Sequence, residues 1–83
     1  MKAGDRVRFP RATRPWQSGV LRHRGITIKA GVTGEILAGP FATTRGQQVD
    51  VRVASDDCYW HHGRPLRSAD TLRLRCSVKE LEA

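Results

Sequence analysis

Eighty-three residues make one domain, 1–83, and leave no room for a second core. Fifteen Lys and Arg against eight Asp and Glu give a formal net charge of +7 and a pI near 10.8, which favours nucleic acid or an acidic protein as partner. No apolar run approaches membrane-spanning length, and Met1-Lys2 is followed by charge rather than an apolar leader. A cytosolic protein without a membrane partner, its two cysteines reduced, is therefore expected.

In chain order, residues 4–9 read as a first strand, with Arg6 and Arg8 alternating with Val7 and Phe9. Pro10 ends it or holds it at an edge. Residues 10–25 form a long basic loop, broken by Pro10, Pro15, Gly19 and Gly25 and holding Arg11, Arg14, Trp16, Arg22, His23 and Arg24. Ile26 to Ala38 alternates apolar and polar residues around Gly31 and Gly34, which suggests strands joined by a tight turn, a bulge or a sharp bend. Gly39-Pro40 punctuates, and 41–48 reads as a hairpin loop with Arg45-Gly46 near its tip.

Val49 to Ala54 is the clearest strand, and Asp56-Asp57 a turn before a short strand at Cys58-Tyr59-Trp60. His61 to Pro65 is a loop. Thr71 to Cys76 forms the last strand, with Arg73 and Arg75 on its wet face. Ser77 with Glu80 has the spacing of a capping box over a single helical turn. Several short bent strands, glycine-rich turns and a terminal helical turn predict an all-β chain: one small barrel of about five strands.

Four stretches carry a resemblance: Gly4-Asp5-Arg6-Val7-Arg8, Lys29 to Ile36, the Val49–Val53 strand, and Val78-Lys79-Glu80-Leu81-Glu82. With them the chain resembles the SH3-like barrels, a superfamily that includes KOW-type ribosomal and transcription modules, nitrile hydratase β subunits, photosynthetic electron-transport accessory proteins and plasmid-borne type II dihydrofolate reductases. The long first loop and the Gly31–Ile36 turn look closest to the electron-transport accessory branch. That resemblance implies a docking or accessory piece rather than a catalyst. The type II reductases share the opening Gly-Asp-Arg-Val-Arg. Their active site uses Val-Gln-Ile-Tyr where this chain has Leu72-Arg73-Leu74-Arg75, so a reductase-like enzyme is the weakest reading. The resemblance also implies that first and last strands pair, which would put Arg6, Arg8, Arg73 and Arg75 on one outer surface.

Arginine's planar fork matches phosphate, so that surface is the first candidate site; its alternative is a solvated face neutralised by acids such as Asp5, Asp50 and Asp70. The loop is the second: Arg11, Arg14, Arg22 and Arg24 would contact phosphates and Trp16 would stack a base, or Trp16 would fold back as a lid on the core. Cys58, His61, His62 and Cys76 have the elements of a zinc tetrad, but no recognised finger spacing and adjacent histidines, so buried thiols are the expectation and no metal or cofactor is expected. The same cysteines and histidines, with Asp56 or Asp57, are a weaker thiolate–imidazole candidate. The reading is a non-catalytic module binding RNA or DNA. The alternative is an accessory unit that docks on an acidic protein, or assembles into a homo-oligomer, through Trp16 and Phe41.

Overall fold

The computed structural model describes residues 1–15, 25–60, 63 and 71–83. Its strands are β1 (Arg6–Arg8), β2 (Ile26–Ile28), β3 (Thr33–Thr43), β4 (Gly46–Ala54), β5 (Cys58–Trp60) and β6 (Thr71–Ser77); 3-10 turns lie at Ser55–Asp57 and Val78–Glu80. No α-helix occurs among the described residues, and none of them forms a helix long and apolar enough to cross a membrane. The chain is all-β, with a four-stranded antiparallel sheet in the order β1-β3-β4-β6 and a two-stranded one pairing β2 with β5. Among the described residues these ladders do not close into a barrel.

Period-two alternation sorts the side chains. Val49, Val51 and Val53 of β4 and Leu72, Leu74 and Cys76 of β6 turn inward, while Arg52 and Arg73 stay exposed. The inward set meets Val7, Phe9, Ile26, Ile28, Val32, Ile36 and Cys58 in one core. The start of the long loop joins it: Thr13 exchanges both backbone hydrogen bonds with Ile28, at 2.9 and 2.8 Å.

Strand pairing departs from the expectation in two ways. β1 does not pair with β6. It pairs with β3 in the register Arg6↔Glu35 and Arg8↔Thr33, while β6 pairs with β4. The free edge of β1 is taken by Glu82, which exchanges backbone hydrogen bonds of 2.8 and 2.9 Å with Arg8. The hairpin is also tighter than 41–48. β3 runs through Gly39-Pro40, and the loop shrinks to Thr44 and Arg45 between paired Thr43 and Gly46. Register shifts between Ile36 and Ala38, and between Ala38 and Phe41, take up the extra residues of β3, so proline and glycine occupy a bulge rather than a strand end.

Gly34 has a packing reason: a Cβ there would come within 2.6 Å of Val51 Cγ1 and 3.0 Å of the Arg52 carbonyl. At the chain's end the turn after Ser77 is a 3-10 turn, and Ser77 Oγ accepts from the Lys79 amide at 3.4 Å, one residue short of the capping-box partner at Glu80.

Candidate polyanion-binding face

The sheet register sets the outer face row by row. Arg6, Glu35, Arg52 and Arg73 lie directly opposite one another across β1, β3, β4 and β6, and Asp50 lies opposite Arg75 in a neighbouring row. Arg6 and Arg8 therefore share a face with Arg73 and Arg75, but from opposite sides of the sheet, three strand spacings or about 14 Å apart. Five arginines and three acids, Glu35, Asp50 and Glu82, occupy this face.

The acids are engaged. Glu35 Oε1 accepts from Arg52 Nη2 at 2.7 Å, and Glu82 Oε1 from Arg8 Nη1 at 2.6 Å. Asp50, its side chain 7% exposed, holds two guanidinium groups. Arg73 donates through Nε and Nη2 to Oδ2 at 3.2 and 2.7 Å; Arg75 donates through Nε to Oδ1 at 2.8 Å and Nη2 to Oδ2 at 3.3 Å. Burial alone pushes the Asp50 carboxyl up, but the hydrogen bonds from Arg75 and Arg73 and their charges together hold it below the usual carboxylate range. The Arg75 guanidinium in turn lies 4.7 Å from the centroid of the Phe41 ring.

Holding a guanidinium against a carboxylate does not exhaust it. Each carries five N–H donors, and Arg73 remains 62% exposed at its side chain. Among the described residues Arg6 makes no ion pair. The clamp thus fixes cationic heads in place and leaves outward donors.

Of the loop residues, Arg11 is exposed, with Nη2 4.0 Å from Glu80 Oε2, and Arg14 is exposed with no ion pair among the described residues. Trp16, Arg22 and Arg24 lie outside the described residues, so the loop candidate is placed only at its start. His61 and His62 lie outside them too. Cys58 and Cys76 are buried free thiols beside the Ala54 and Leu74 carbonyls. Burial first, then Asp57, pushes the Cys58 thiol up to about 11 despite nearby Lys29. Burial, then Cys58, Asp50 and Glu80, pushes Cys76 up to about 12. Both are protonated near neutrality, unlike an activated nucleophile. No group of three potential metal ligands occurs among the described residues.

Two members of this face, Arg52 and Glu35, are not assigned to it by the sequence, whereas Asp50 is among the acids expected to neutralise it. Arg52 is within reach of the sequence, because Val49-Asp50-Val51-Arg52-Val53 puts it on the wet side with Asp50. Glu35 needed the β3 register.

At the row where Gln48 lies opposite Ser77, these two residues line a cleft of about 250 Å³ with Arg14, Pro15, Arg45 and Glu80. Gln48 is 3% exposed, and its Oε1 is buried with no donor among the described residues. An unmet buried amide acceptor costs about 1–3 kcal/mol, so its retention calls for a reason.

No family model, curated protein or solved structure matches this chain.

Proposed function

We propose that this chain is a non-catalytic nucleic-acid-binding module of the SH3-like barrel type, working in the cytoplasm. The carrying observation is the outer sheet face, where five arginines meet three acids and a net positive charge remains. The ion pairs favour the reading rather than weaken it. Arg73 and Arg75 are held by Asp50 and Phe41, so little side-chain freedom is lost when their outward N–H groups meet phosphate oxygens. Contacts of this kind position a backbone without reading sequence.

The test is a titration of short single-stranded and duplex oligonucleotides at several salt concentrations. Binding tightens as salt falls, and each phosphate contact contributes about 0.7 to the single-strand slope of log K against log salt. Arg6→Ala removes a cation that no acid among the described residues holds, so it lowers that slope by about 0.7 while leaving the Asp50 clamp intact. No binding at low salt overturns the reading.

A second reading, docking on an acidic protein or self-assembly, draws on Phe41, 36% exposed beneath Arg75. It predicts a solution mass above that of one chain or capture by an acidic partner, with no response to oligonucleotides.

A further inference from the structure

The cleft lined by Gln48 and Ser77 has a chemistry that plain phosphate binding does not use. Its lining combines two cations, Arg14 and Arg45, with a hydroxyl, Ser77, a carboxylate, Glu80, and the carboxamide of Gln48. A site for phosphate alone would not set a carboxylate beside the anion, nor bury a carbonyl oxygen that only a donor can satisfy. The ligand that answers this set carries N–H donors and an anionic group together.

We propose that the cleft receives one unstacked base of the bound strand, and that it prefers a base with an exocyclic amino group. This rests on the nucleic-acid reading above and adds a base preference to it. A nucleobase edge presents donors and acceptors side by side, as a carboxamide does, and single strands are read by such edges once the base leaves the stack. The Gln48 amide turns about its last torsion at little cost, so its oxygen can exchange a sealed position for the ligand's amino group. Glu80 accepts a second amino hydrogen, as a carboxylate does from the cytosine amino group, and opposes an edge that shows a carbonyl there. Arg14, with no ion pair among the described residues, stands at the same cleft for the adjoining phosphate. At about 250 Å³ the space lies just under that of pockets for drug-sized ligands, which suits one base rather than a stacked pair.

Oligocytidylate and oligouridylate of about ten nucleotides make the probe, because their bases differ at the amino-for-carbonyl edge. The wild-type chain binds oligocytidylate at least about five-fold more tightly, the lower end of the discrimination from one bidentate contact. Gln48→Leu, which removes the unmet amide without opening the core, brings the two affinities to within about two-fold of each other. Glu80→Gln narrows the gap by itself.

Equal wild-type affinities, or a preference that survives Gln48→Leu, overturn the base pocket while the phosphate-binding face stands. Failure of both oligomers to bind at low salt overturns the face as well, so the two failures read differently.

Discussion

Two arginines share the carboxylate of Asp50, and that residue decides how the sheet face behaves. Without it Arg73 and Arg75 would stand as adjacent like charges, with Phe41 under the Arg75 guanidinium alone. Asp50→Ala should therefore lower unfolding stability by about 2 kcal/mol, the scale of hydrogen bonds to a charged group, as read from urea midpoints. The folded carboxyl titrates below its ordinary value of 3.8, so the clamp's contribution is complete above that pH and is lost as pH falls through the folded value. Asp50→Asn should flatten that acid limb.

The buried thiols act at the other end of the scale. The unfolded chain releases their protons near 9.0, whereas the folded one holds them until about 11 and about 12. Stability is therefore intact below 9.0 and falls as pH rises through this window, by up to about 1.4 kcal/mol per pH unit for each thiol. Cys76→Ala should make that alkaline limb shallower, whatever its cost near neutrality. Equal slopes for variant and parent between about pH 8 and pH 10.5 would contradict the assignment.

At the scale of elements, β3 is where local sequence was least informative. Its outer half reads as a loop because Gly39-Pro40 interrupts it, and the strand continues only because β4 supplies partners on the far side of a bulge. Gly34 reads as a bend from sequence, yet its backbone is not left-handed; it is glycine because β4 lies too close for a Cβ. Gly34→Ala must displace Val51 or push against the Arg52 carbonyl. The expected loss is about 1–3 kcal/mol, the usual cost of overpacking, measured as a drop in denaturation midpoint. A similar substitution at Gly4, where a Cβ meets nothing within 4 Å, would strain only the local turn. A Gly34→Ala variant as stable as the parent would show that β3 and β4 can separate without loss.

At the scale of the whole molecule, the alternations of β1, β4 and β6 were legible because each depends on a period of two within a few residues. The inward valines and leucines and the outward Arg6, Arg8, Arg73 and Arg75 follow from that period alone. Pairing was not legible in the same way. It joins residues far apart in the chain, and alternation does not say which strand lies beside which, so β1 was expected beside β6 and lies beside β3. The candidate site suffers accordingly: Arg6, Arg8, Arg73 and Arg75 follow from the sequence, but not Glu35 opposite Arg6, nor the cleft that brings Arg14 to Gln48 and Ser77.

The tail shows what such distant pairing contributes. Leu81 and Glu82 follow the last 3-10 turn and return to β1, 74 residues away by the Arg8–Glu82 ion pair. Two backbone hydrogen bonds and the packing of Leu81 on the core depend on that return. The exposed ion pair adds little. At about 1 kcal/mol for each hydrogen bond and about 1 for half-burying a leucine, removal of residues 81–83 should cost about 3 kcal/mol. Glu82→Gln, which keeps the backbone and removes only the charge, should cost under about 1 kcal/mol. If the two variants lose equal stability, the ion pair rather than the strand contact ties the tail to β1. If the truncated chain loses far more, the free edge of β1 is what the rest of the sheet depends on, and hydrogen exchange at Arg8 and Val7 should then accelerate together with that of β3.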